Sequence, residues 1–171
     1  MESDKAIKRE SEKAGKRESR KAGKQEHMSD GTVHSTRAAE PVGAYSHARR
    51  VGNLLFLAGL GPRVRGSNQI PGAKVDAAGQ LVDYDIEAEV RACFTNVRLA
   101  LEEAGSSWEK IIDVMVFLTD MNRDFATYNR VYAEYFPAGP NQPTRTTVEV
   151  GALPKMGATE IHFEVKVIAT A

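Results

Sequence analysis

The chain has 171 residues, enough for one domain with some chain to spare. Its 23 basic and 23 acidic side chains balance, so no global charge draws it to nucleic acid or to a membrane surface. A single cysteine excludes an internal disulfide framework and a cysteine-rich metal site, no apolar run reaches the roughly 18 residues of a membrane span, and a reducing, cytoplasmic compartment is expected.

Residues 1 to about 27 differ from the rest. They hold an imperfect repeat, Lys8-Arg9-Glu10-Ser11-Glu12-Lys13-Ala14-Gly15 and then Lys16-Arg17-Glu18-Ser19-Arg20-Lys21-Ala22-Gly23, with almost no large apolar residue. Such a segment buries too little surface to offset its ordering entropy, so residues 1–30 are expected to be a charged, disordered extension ahead of a domain at 31–171. The first residues lack the apolar core of a secretory leader, and Met28-Ser29-Asp30 resembles a natural start. Acidic residues dilute the tail's positive charge, so nucleic acid is not an expected partner.

Residues 41–48 and 51–59 read as two strands around a turn at Gly52-Asn53. Residues 60–80 are rich in Gly and Pro and read as a long loop, with a possible short strand at Lys74-Val75-Asp76. From Asp85 to Glu103, Ile86, Val90, Cys93, Val97 and Leu101 form one apolar stripe, which predicts a helix. Asp83 or Asp85 can cap it, and Gly105 sits where a C′ glycine belongs. Residues 111–118 are β-branched and nearly continuously apolar, which predicts a central strand buried on both faces. A second helix is expected from about Arg123 to Phe136, capped by Asn122, with Phe125, Tyr128, Tyr132 and Tyr135 inward and Pro137 and Gly139-Pro140 ending it.

Two alternating segments close the chain, 143–150 and 160–168. In the first, Arg145, Thr147 and Glu149 share one face and Thr144, Thr146, Val148 and Val150 the other. In the second, Ile161, Phe163, Val165 and Val167 form a core face opposite Glu160, His162, Glu164 and Lys166. If the two strands are neighbours, a guanidinium and a carboxylate converge at one mouth, the minimum needed to hold a small acid beside an activated water. The predicted architecture is α+β, one sheet with two helices on one face. The uncovered face then calls for a partner, and a homo-oligomer is expected.

The order of Pro41-Val42-Gly43-Ala44-Tyr45-Ser46-His47-Ala48, Gly52-Asn53-Leu54-Leu55-Phe56-Leu57-Ala58-Gly59, Phe117-Leu118-Thr119-Asp120-Met121-Asn122, Asn129-Arg130-Val131-Tyr132-Ala133-Glu134-Tyr135-Phe136, Pro143-Thr144-Arg145-Thr146-Thr147-Val148 and Leu153-Pro154-Lys155 resembles the Rid (YjgF) family of reactive-intermediate deaminases. The resemblance covers about residues 36–169. It implies a chorismate-mutase-like fold with a single mixed sheet, a homotrimer with clefts between subunits, and hydrolysis of imines or enamines that carry a carboxylate, with no cofactor and no metal. It places the carboxylate-binding arginine at Arg145, the cleft tyrosine at Tyr45, the cleft asparagine at Asn129 and the strand-end glycine at Gly59, with Ala58 and Thr147 beside the ligand. The water-orienting glutamate falls on Glu164 when counted back from Val165-Lys166-Val167-Ile168, and on Glu160 when counted forward from Arg145. Glu164 is preferred because residues 156–159 read as a loop extension.

Three departures bear on substrate. Thr147 stands where the family often has a cysteine, so no thiol nucleophile is offered there. Ala58-Gly59-Leu60-Gly61-Pro62 replaces a more polar segment. The loop with Val75-Asp76-Ala77-Ala78-Gly79 is similar to the 2-aminomuconate deaminase branch, although Tyr45 is retained. The alternative to an enzyme is a cleft that binds a 2-oxo or imino acid and does no chemistry.

Overall fold

The computed structural model describes residues 31–67, 69–155 and 159–171. The charged tail and most of the proposed loop extension lie outside the described residues. Among the described residues, eight strands and two long helices follow in the order β1 (Gly31–Val33), β2 (Ala48–Val51), β3 (Leu54–Leu57), β4 (Lys74–Val75), β5 (Leu81–Asp83), α1 (Ile86–Glu103), β6 (Ile111–Leu118), α2 (Met121–Tyr135), β7 (Thr144–Glu149) and β8 (Phe163–Thr170). Six strands form one mixed sheet in the order β1-β2-β3-β8-β6-β7, in which only β6 and β7 run parallel. The expected α+β class with a mixed sheet and two helices therefore holds, but β4 and β5 form a second, two-stranded sheet that the single-sheet expectation did not include.

The first hairpin is shorter than the alternation suggested. Gly52 takes φ +56°, and pairing runs only from Val51↔Leu54 to Ala48↔Leu57. Residues 41–47 are not a strand. His47 holds this stretch in a folded-back loop: its Nδ1 accepts from Ser35 N at 3.0 Å and its Nε2 meets Ala39 O at 2.9 Å. The open edge of β2 is taken by β1, which was not foreseen. The possible strand at Lys74 is real and pairs with β5, a partner that the loop reading missed.

Helix α1 starts where Asp85 accepts from Glu87 N and Ala88 N, and it ends at Gly105 with φ +76°, as the cap chemistry predicts. Its stripe, with Phe94 added, is buried against Phe163, Val165 and Val167 of β8. Cys93 is fully buried, and burial pushes its thiol well up, as an inert core residue requires. In α2 the cap is Asp120, which accepts from Arg123 N at 2.9 Å, and Asn122 is already inside the helix. Tyr128 and Tyr132 face inward, while Phe125 stays 38% exposed.

The expectation of a strand buried on both faces fails for β6. Val114, Val116 and Leu118 are buried under the helices, but Ile112 and Met115 remain exposed. Both helices pack on one face, so β6, between β8 and the edge strand β7, is open on the other side. Phe56 and Met115 belong to that outer face, with Phe117, Val148 and Ile168 half-buried around them.

Candidate functional site

The expected site residues fall into three separate groups. Arg145 and Asn129 form the first. Arg145 lies on β7, and its guanidinium donates to Asn129 Oδ1 on α2 at 2.9 Å. The guanidinium also lies over the rings of Tyr132 and Tyr128, with centroids at 4.5 and 5.6 Å. Arg145 has no ion pair among the described residues, so neither Glu149 nor Glu164 neutralises it in the protomer. Thr147 points the same way, its Oγ1 3.4 Å from the Tyr128 hydroxyl. A cleft of 290 Å³ lies between Asn129, Tyr132, Phe136, Pro143 and Arg145. A larger hollow of 480 Å³ shares Phe136, Gln142 and Pro143 with it, but its only ionisable carboxyl is Glu109, so it offers no anion site.

Tyr128 and Tyr132, expected inward on α2, also form the aromatic shelf under the Arg145 guanidinium, a contact the sequence reading did not name. They were read as helix packing alone. Tyr128 and Tyr132 stand four residues apart with Asn129 between them, and that spacing is the available signal, since i and i+4 share a helix face. The low-dielectric shelf they make is dry enough that burial pushes the Tyr132 hydroxyl up to about 12.

Glu164 forms the second group, with Gly59 and Ala58. An antiparallel bridge between Leu60 and Val165 brings the end of β3 against β8. Between this bridge and the Phe56↔Ile168 pair the register slips by one residue, a bulge at Ala58-Gly59. Gly59 therefore lies directly against the Glu164 side chain. The Ala58 N–H is already given to His47 O at 2.9 Å. Burial raises the Glu164 carboxyl above its ordinary value, against a smaller downward pull from Arg63. Glu160, the alternative, is exposed and ion-paired to Lys155.

Tyr45 is the third group. It lines a wide depression of 700 Å³ with Thr32, His34 and Arg49, and its hydroxyl accepts from Val42 N at 3.2 Å. The loop that carries it leads into β2, four strand spacings from β7 in the sheet order, or ~19 Å.

The assumption that the last two strands are neighbours is incorrect, because β6 lies between them. The registers also decide the faces. Arg145 pairs with Val114 and so lies on the helix-covered side, while Glu164 pairs with Phe117 on the outer side. Within one protomer the guanidinium and the carboxylate stand on opposite faces of the sheet. Residues paired directly across a sheet share a face, and the register Arg145↔Val114↔Val167 sets Arg145 with the core residues of β8 and not with Glu164.

A mixed sheet backed on one side by two helices, with an arginine that has no ion pair among the described residues under one face and a half-buried acid on the other, defines an α+β domain. The Endoribonuclease L-PSP family profile matches residues 35–171. A RutC family protein of Pyrococcus abyssi is 38% identical over 143 residues, covering 83% of this chain and 98% of that protein. One from Pyrococcus horikoshii is 41% identical over 138 residues, covering 80% and 94%. The solved structure of YyfA from Yersinia pestis, of the conserved Rid protein family, aligns with TM-score 0.66 and 30% identity, covering 84% of this chain and all of that one. Escherichia coli TdcF, solved with bound serine, aligns with TM-score 0.67 and 30% identity, covering 82% and 98%. The chain belongs to this YjgF/RutC/Rid family.

Proposed function

We propose that the protein hydrolyses reactive imines and enamines that carry a carboxylate, in a homotrimer whose clefts unite the Arg145 side of one subunit with the Glu164 side of its neighbour. Family membership supports an imine-deaminase type of activity at the level of the family. The observation that carries the reading to this chain is the state of Arg145. It is held by Asn129 and the Tyr132 shelf, has no acidic partner among the described residues, and opens on a small cleft. A planar guanidinium kept in that way is made to receive a carboxylate through two parallel charge-assisted bonds. That a relative, TdcF, was solved with an amino acid bound agrees with a small carboxylate ligand.

The chemistry asks for little else. In the protonated imine the carbon is electrophilic. Water adds to it as Glu164 takes a water proton, and the C=N bond becomes a C–N single bond. Glu164 then returns that proton to nitrogen, the C–N bond breaks as the carbonyl forms, and the departing ammonia takes up the hydroxyl proton and leaves as ammonium. Water is the only co-reactant, so no cofactor enters the balance. Thr147 offers no thiol, and the route has no covalent enzyme intermediate. The family name includes a ribonuclease, but a formal net charge of zero gives RNA no global attraction, and Tyr128 and Tyr132 face inward.

Ammonia release from freshly generated 2-iminobutyrate and from 2-aminomuconate tests the reading. Arg145→Ala is expected to abolish the rate enhancement while the trimer persists. Arg145→Lys keeps charge but not the fork, and about 10- to 150-fold of kcat/KM should go with the lost charged bonds. Full activity of Arg145→Ala on every imino acid would overturn the assignment. The opposed faces of Arg145 and Glu164 favour a second reading, a cleft that only binds 2-oxo acids. Binding of 2-oxobutyrate without any acceleration of imine hydrolysis would establish it.

A further inference from the structure

The geometry points to Glu89, on α1, as a positioning residue for Glu164, an inference that rests on the role proposed above for Glu164. Glu89 is fully buried, and no lysine or arginine reaches it among the described residues. Its carboxylate instead gathers three contacts from the residues that begin β8. Oε2 accepts from His162 N at 2.7 Å and from Phe163 N at 3.1 Å, and Oε1 meets His162 Nδ1 at 3.0 Å. The next residue is Glu164.

A buried carboxylate is costly unless its lone pairs are filled. An apolar residue at 89 would serve the core equally well and avoid that cost, but it would leave two buried N–H groups without an acceptor. What the carboxylate supplies is a fixed height for the start of β8. Two other ties act on the same segment: Thr119 N donates to His162 O at 3.2 Å, and Leu60 and Val165 exchange backbone bonds. Glu89 ties the segment to the helix layer, beside a weaker contact from Cys93 Sγ to Phe163 O at 3.6 Å, and so holds the strand along a direction that neither neighbouring strand controls.

The same contact reaches the other half of the site. The His162 ring stacks on Tyr84 with centroids 3.4 Å apart, and Tyr84 donates its hydroxyl to Asp124 Oδ2 at 2.8 Å in the first turn of α2. Arg123 covers the Tyr84 ring at 3.8 Å. Helix α2 also carries Asn129, the partner of Arg145. One buried polar chain, Glu89–His162–Tyr84–Asp124, thus braces the strand bearing the acid against the helix bearing the arginine's partner.

A double-mutant cycle on the full-length protein tests this. Glu89→Gln keeps one acceptor and the side-chain volume. It is expected to lower kcat for imine hydrolysis about 10- to 100-fold, with KM little changed, because a displacement of ~1 Å at the reacting groups costs rate on that order. In a Glu164→Gln background the same change should have almost no further effect, since both act through one carboxylate. Arg50→Gln removes a buried tie to Ala104 O at the far end of α1. It should lower Tm and leave kcat unchanged. Equal losses from Glu89→Gln in both backgrounds, or a fall in Tm with unchanged kcat, would overturn the inference. If Glu89→Gln does not fold, His162→Phe keeps the ring against Tyr84 while removing the Nδ1 contact. The cycle is then read on it with the same expectation and the same overturning result. A Glu164→Gln protein that hydrolyses imines at the full rate would instead strike down the proposed function, so the two failures are distinct.

Discussion

Gly59 and Glu164 occupy a space that admits only one side chain. A Cβ on Gly59 would stand 2.8 Å from the carboxyl carbon of Glu164 and closer still to Oε1. The contact comes from the bulge at the end of β3, which turns residue 59 toward the outer face of the sheet where Glu164 lies.

Gly59→Ala therefore moves the carboxylate and little else, because what it meets is the free end of a side chain. Imine hydrolysis is expected to fall about 10- to 100-fold in kcat. Stability should change by about 1 kcal/mol, the low end of overpacking costs. Steady-state rates beside a thermal melt check it. A fully active Gly59→Ala enzyme would mean that the carboxylate's position is immaterial.

The raised Glu164 carboxyl has two readouts. As a base it must be ionised, so kcat/KM should fall as pH drops through a value above the 4.5 of an ordinary glutamate. Glu164→Gln should remove both the rate and that limb, while Glu160→Gln, at an exposed pair with Lys155, should change neither. For stability, the folded state holds this proton more tightly than the unfolded chain. The burial penalty is therefore largest at neutral pH and is relieved as pH falls through the raised value. Glu164→Gln should accordingly raise Tm at pH 7 and raise it less near pH 4.5.

Glu103 behaves in the opposite sense. It accepts from the hydroxyls of Ser35 and Thr36 and from Thr36 N and Arg37 N, and these bonds hold its carboxyl down at about 2. Its contribution is present above the ordinary value of 4.5 and is lost as pH falls from there toward 2. Glu103→Gln should lower Tm at pH 7, with a gap to wild type that narrows over that window.

The outer sheet face supplies the test of assembly. Met115, 37% exposed, lies beside Lys166 on β8. Met115→Arg places a second cation on the surface that the proposed subunit contact would bury. Sedimentation should then show monomers with unchanged far-UV circular dichroism, and hydrolysis should be lost with the assembly. An intact oligomer would mean that subunits meet elsewhere.

Much of the fold was legible because local chemistry dictated it. The stripe from Ile86 to Leu101 ran at helical spacing between Asp85 and Gly105, and the structure keeps both ends. The alternation around Phe163, Val165 and Val167 named the core face of β8 correctly. Where local signals competed, the reading slipped. Asp120 and Asn122 both suit a cap, and only the path of the chain leaving β6 favours Asp120. Residues 41–47 alternate like a strand, but the ring of His47 and the arrival of β1 leave them no sheet to join.

By itself the sequence determined the two long helices, the core face of β8 and the residues with chemistry to offer, because periodicity and capping act over a few residues at a time. Which strands are neighbours was decided only in three dimensions. The registers of β7 on β6 and of β6 on β8 put Arg145 and Glu164 on opposite faces, and a bulge at Ala58-Gly59 put Gly59 against the acid. Strand order and register are set by long-range packing of the whole apolar set, and no local stretch of chain encodes them.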